Sequence, residues 1–235
     1  MDMKISGAGT VPAGEYDVIK ISGSGRLSGH VKCSALHASG SVHGESVECW
    51  GDIRTSGSAH FDKDVSAGSM DVSGSLHCEG NLTVQHETKL SGGIHCSGNV
   101  KCGDLYVAGG FRVNKDIEAE TARIHGGISC DGLLNAEDIE IEIDSTGKNA
   151  VGSIGCSKLK VYIRKINKLF GRRIGGVLNV KGEIEGDEID IAYVNCPRVS
   201  GRTVKVGEGC KIELLQYSES YEIHDKAKVG KIEKI

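Results

Sequence analysis

The chain has little proline, few aromatic rings and no long apolar run, and each shortage narrows what it can be. Two prolines in 235 residues exclude a collagen repeat or a proline-rich disordered chain, although glycine, at 34, is about twice its usual share. Aromatic residues make up 4%, which suits a narrow interior filled by small and β-branched side chains. No run of 18 apolar residues occurs, so no membrane-spanning helix is expected, and residues 1–13 lack the apolar core of a signal peptide. A cytoplasmic location is the expectation. No charge dominates: 28 Lys and Arg against 32 Asp and Glu give a net charge of −4. The two signs are interspersed, so no global attraction to nucleic acid or to an anionic membrane follows. The nine cysteines contain no Cys-x-x-Cys, which argues against a zinc or disulfide framework and for reduced, buried thiols.

What is present is a repeat. Ser22, Ser39, Ser56, Ser73, Ser91, Ala108 and His125 stand at successive intervals of 17, 17, 17, 18, 17 and 17, and a glycine follows each of them. Constant spacing with a shared local pattern marks a stacked structural repeat. Flanking columns keep one character down the chain. Positions three and one before the Ser column are mostly apolar, from Ile19 and Ile21 to Ala122 and Ile124. So are positions three and five after it, from Val42 and Phe61 to Ile128 and Cys130. A third pair, nine and eleven after, runs from Val31 and Cys33 to Leu134 and Ala136, with a one-residue slip to Val47 and Cys49 in the second repeat.

Each repeat therefore carries three pairs of inward residues, and the spacing of two within a pair is the period of a strand with one buried face. Three short strands per coil make a triangular prism. The expected fold is all-β: a parallel β-helix of about 17 residues per coil, its coils stacked at about 4.8 Å. The Ser-Gly dipeptides belong at one corner, where glycine is expected to supply a positive φ.

Along the chain, residues 1–15 read as a cap coil: Lys4-Ile5-Ser6-Gly7 is a worn copy of the repeat around Ser22, interrupted at Pro12. Residues 16–143 are the regular coils, ending in the alternation Ile139-Glu140-Ile141-Glu142-Ile143, and a polar turn is expected from Asp144 to Asn149. Residues 144–176 form an irregular insertion. Its core, KLKVYIRKINKLFGRR at 158–173, holds seven basic and no acidic residues. Its first half alternates like a strand, and the rest reads as a basic loop or one helical turn. Residues 177–235 return to strand alternation and make room for further coils.

With this pattern in view, the chain resembles the bactofilin family of bacterial polymer-forming cytoskeletal proteins. The resemblance rests on Ile-Ser-Gly-Ser-Gly-x-Leu-x-Gly-x-Val at residues 21–31 and its later copies, including Val72-Ser73-Gly74-Ser75-Leu76 and Gly80-Asn81-Leu82. It covers about half of the chain well and the stretch 176–235 loosely. It implies a right-handed triangular parallel β-helix that joins end to end into nucleotide-independent filaments and serves as a scaffold, often at the membrane. The basic insertion, the second β block and the lack of flanking proline-rich tails depart from that pattern.

Two constellations stand out. Four after the Ser column come Arg26, His43, His60, His77, His95, Arg112 and Ser129, and because the flanking columns face inward this one faces out. A solvated polar column is the first reading of the four histidines, lateral contact between rods the second and a metal site the third. The basic segment reads first as a solvated loop. As an alternative, Arg164, Lys165, Lys168, Phe170, Arg172 and Arg173 form a patch that docks on an anionic membrane surface or another protein. Nucleic acid is not expected there, since only Tyr162 and Phe170 could stack bases.

No catalytic constellation, cofactor site or metal-ligand set is expected. The nearest enzymatic competitor, a hexapeptide-repeat acyltransferase with its catalytic histidine, uses 18-residue coils, against the 17 seen here; His37, His86 and His125 are the histidines it would draw on. The function expected is a non-enzymatic scaffold that self-associates through its end coils, with a monomeric or small-oligomer binding module as the alternative. Apolar Ile5, Val11, Val18 and Ile19 mark the N-terminal coil as the one that meets its own copy. Lys226, Lys228, Lys231 and Lys234 guard the other end.

Overall fold

The computed structural model describes residues 1–143, 149–163 and 176–235. Among these residues there is no helix, and every strand pairing described is parallel. The chain divides into two compact units, Met1–Lys115 and Asp116–Ile235. Each is a β-solenoid in which a strand pairs with the strand one turn later in the sequence.

In the first unit the turn length is read from the register. Ser24 pairs with Ser41, Ser41 with Ser58 and Ser58 with Ser75, three equal steps of 17. The strands Ser24–Ala38 and Ser41–Thr55 pair in three segments, broken between Leu27 and His30 and between Cys33 and Leu36. Three ladders per coil are the three faces of the expected triangle. His30 pairs with Ser46, a step of 16, and Val47 with Val65, a step of 18, so the slip in the second repeat is a real deletion that the next turn compensates. The cap coil also falls where the repeat places it, with Met3–Ile5 beside Ile19–Ile21 at a step of 16.

The apolar columns are the core. Ile19, Leu36, Val31, Cys33, Phe61, Cys78, Leu82, Cys96, Leu105 and Val113 are fully buried, and of the inward positions only Ala119 is half-buried. Large and small residues alternate to fill it: Gly44 leaves a gap between Leu27 and Phe61, and a Cβ there would stand 3.2 Å from the Phe61 ring and 3.3 Å from the Leu27 Cβ. Close packing of this kind leaves little room for a change of volume.

The corner glycines are where the expectation needs correction. Gly92, Gly109 and Gly126 do have positive φ, at 135°, 138° and 137°, but Gly23, Gly40, Gly57 and Gly74 do not. What every one of the first six needs is space along the stacking axis. A Cβ on Gly40, Gly57 or Gly74 would lie 2.1 Å from the carbonyl oxygen of the corner glycine one coil earlier, and on Gly92 2.0 Å. Those same carbonyls accept hydrogen bonds from the next coil, as Gly40 does from Ser58 N at 3.2 Å. The ladder runs unbroken through the corner because no side chain stands between the coils.

In the second unit the turns are less even. Ser129 pairs with Ala150 and Ile139 with Leu159, steps of 21 and 20, and the following step, Ile154 to Ile184, is 30. Later turns shorten to 15 and 16, with Ile184 beside Val199 and Val199 beside Leu215. Ile139, Ile141 and Ile143 are buried, as their alternation predicts. Of the turn expected from Asp144 to Asn149, residues 144–148 lie outside the described residues, and Asn149 belongs to a strand: it opens Asn149–Ile163, is buried, and its Oδ1 accepts from Ile128 N at 3.2 Å. A coil therefore runs through part of 144–176, with Leu159 and Val161 inward and Lys158 and Lys160 outward. Leu215, rather than Leu214, takes the core position near the C-terminus.

Eight of the nine thiols are buried and Cys156 is half-buried. Burial pushes the thiols of Cys130 and Cys196 up to about 11 and those of Cys102 and Cys156 up to about 12. Since the thiolate is the reactive form, a polar alkylating reagent at neutral pH is expected to label at most Cys156 in the native protein and all nine after denaturation. Mass spectrometry of the labelled chain reads this directly, and rapid native labelling of the core cysteines would contradict the packing described.

Candidate interaction surfaces

The residues singled out at the N-terminus lie in the core or beside it. Ile5, Val11 and Ile19 are buried side chains and Val18 is half-buried, so what this coil offers a partner is its backbone. Met3–Ile5 pairs with Gly14–Ile21, and Ala8–Val11 with Ser24–Ala38, and no other pairing is described for either strand. The carbonyls of Ile5 and Gly7 accept from Ser22 N and Ser24 N, both at 2.9 Å. Backbone direction alternates along a parallel ladder, so the N–H and C=O groups of the intervening residues Lys4, Ala8 and Thr10 point away from the coil. Such a row of open groups is a template for a further strand.

In the second unit, Lys228–Lys234 pairs with Lys211–Ile223 and with no other described strand. Lys226, Lys228, Lys231 and Lys234 are exposed there, and Lys226 pairs with Glu208 and Lys231 with Glu233. Apolar surface shows beside them: Tyr221 is 44% exposed, Ile232 41% and Ile235 63%. The lysines alone, as read from the sequence, understate how apolar this coil is. Arg164, Lys165, Lys168, Phe170, Arg172 and Arg173, the candidate membrane or partner patch, lie outside the described residues.

The histidine column is outward, as its place between two inward columns requires. Ring centroids of His43 and His60 are 4.9 Å apart, of His60 and His77 4.8 Å, and of His77 and His95 4.7 Å, the spacing of neighbouring strands. Beside it runs a second outward column that the repeat reading missed, six after the Ser column: Glu45, Asp62, Glu79. The pattern His-x-Asp/Glu at 60–62 and 77–79 was the available signal, since residues two apart on a strand share a face.

Each carboxylate is engaged differently. Glu45 accepts from Lys63 Nζ and Gly29 N, both at 3.1 Å, which hold its carboxyl below the usual range. Glu79 lies 2.6 Å from His77 Nε2 and accepts from Ser97 Oγ at 2.8 Å, and these lower it in the same way. Asp62 meets two imidazoles: its oxygens lie 3.1 and 3.2 Å from His43 Nε2, and one lies 3.0 Å from His60 Nε2. The hydrogen bonds from His43 and His60 hold this carboxyl low. His43, His60 and His77 also edge a shallow open groove of about 790 Å³ with Ser41, Ser58 and Ser75.

Of the histidines an acyltransferase would draw on, His37 is tied to Asp52 at 2.7 Å, and Arg54 Nε shares the same oxygen at 2.9 Å. His86 and His125 are exposed.

No family model matches the chain, and no solved structure matches it. It is similar to the uncharacterized protein YhbE of Bacillus subtilis (strain 168), with 34% identity over 98 residues, 42% of this chain. The matched stretch spans 41% of that protein's length.

Proposed function

We propose that this protein is a non-enzymatic scaffold that self-associates end to end through the open strand edges of its β-solenoid, in the manner the resemblance to bactofilins implies. The observation that carries the reading is the row of outward backbone groups along Met3–Ile5 and Ala8–Val11, with no described strand to pair them. The core at this edge is already filled by Ile5, Val11 and Ile19, so an arriving coil meets a finished apolar floor and needs only to add its ladder. The apolar surface of Tyr221, Ile232 and Ile235 supports a second contact, too weak to hold two chains alone, which extends a pair into a longer assembly that stays open where its rotation does not close a ring. Nothing in this association calls for a nucleotide.

Negative-stain electron microscopy of the purified full chain without nucleotide tests the reading. Linear assemblies, or particles joined in pairs, are expected. A field of single unassembled particles at every concentration tried would overturn it.

A further inference from the structure

We propose that His43, His60 and Asp62 form a surface site for a divalent transition metal of the zinc class. The three residues come from two adjacent coils. His43 and its ladder partner His60 stand side by side, and Asp62 is two residues beyond His60 on the same outward face. One ligand atom from each lies within 4.8 Å of the others. Zinc binds imidazole nitrogen and carboxylate oxygen at about 2.0–2.2 Å, so neighbouring ligands of a tetrahedral ion stand roughly 3.3 Å apart. One oxygen of Asp62, Oδ1, lies 3.2 Å from His43 Nε2 and 3.0 Å from His60 Nε2, and both separations already fit that figure. Bringing the two imidazole nitrogens together asks for rotation of side chains that are 47% and 43% exposed.

The site is selective within its column. Glu45 is held by Lys63 and Gly29, and Glu79 by His77 and Ser97, whereas both oxygens of Asp62 turn to imidazoles. Two nitrogens and one carboxylate suit Zn²⁺, Ni²⁺ or Cu²⁺ and not the all-oxygen cations Mg²⁺ and Ca²⁺. Three protein ligands leave a fourth position to water or to a group from another molecule.

Zinc chloride titrated into the purified full chain by calorimetry tests the proposal. One Zn²⁺ per chain is expected. His60→Ala, and independently Asp62→Asn, should weaken binding by about 100-fold or more, since outer-shell changes alone cost 10 to 100-fold. His95→Ala, whose imidazole faces Asn114 at 3.3 Å, should leave it unchanged. With Co²⁺ in place of Zn²⁺ the spectrum should lack a thiolate charge-transfer band. No binding, equal binding by the unaltered chain and both variants, or a thiolate band would overturn the site; the first two leave plain imidazole–carboxylate hydrogen bonds, and the last moves the metal to the cysteines.

Discussion

Gly57→Ala is expected to destabilise the first unit severely, and Gly93→Ala to leave it as stable or slightly more so. The added methyl at Gly57 would sit 2.1 Å from the carbonyl oxygen of Gly40, whereas at Gly93 it meets nothing within 4 Å. The obstacle at Gly57 is backbone, and that backbone is itself fixed by the Ser58 N to Gly40 O bond, so no side chain can swing aside. Forcing extra volume into a packed site typically costs 1–3 kcal/mol, and an unyielding neighbour places this case at about 3 kcal/mol or beyond. In a solenoid each coil is held by its two neighbours, so parting one interface weakens the stack on both sides. A fall in melting temperature of more than about 6 °C is expected for a chain of this size. At Gly93 the only change is a less flexible unfolded chain, a gain of about 0.4–1 kcal/mol. Equal melting temperatures for the two variants would show that the corners do not depend on the missing side chains.

That contrast marks where the sequence was legible and where it was not. The inward columns were, because apolar period-two pairs recurring once per coil at near-constant spacing leave one arrangement that buries them all; even the slip at Val47 and Cys49 was visible. The reason for the corner glycines was not. Positive φ and close axial approach both select glycine, and a sequence cannot tell them apart. The coil through Asn149–Ile163 was partly hidden for a related reason: a polar Asn149 buried to cap the Ile128 amide looks like a turn residue until its partner is known. The histidine column could be placed outward from its neighbours alone, but its chemistry depended on Asp62. That residue acts through a coil-to-coil contact with His43, as well as through His60 two residues before it.

The larger functional effect is expected from the edge. Lys4→Pro combined with Thr10→Pro should abolish self-association while leaving the fold of the first unit intact. Proline removes a backbone N–H and carries bulk where an arriving strand would dock. At Lys4 and Thr10 the lost N–H groups are the ones that point away from the coil, so the hydrogen bonds from Ser22 and Ser24 to Ile5 and Gly7 remain. Lys4→Ala with Thr10→Ala serves as the companion, since it changes both side chains and keeps both amides. Assembly retained by the alanine pair and lost by the proline pair assigns the contact to the backbone ladder. Loss in both would assign it to the side chains and contradict edge pairing.

Sedimentation velocity of the unaltered chain, from below one micromolar to tens of micromolar and without nucleotide, tests the central claim most directly. Growth from monomer to dimer and larger species is predicted for the unaltered protein, with the proline pair remaining monomeric throughout. A single monomeric boundary for the unaltered chain across the whole range would contradict the account and leave the β-solenoid as a solitary body.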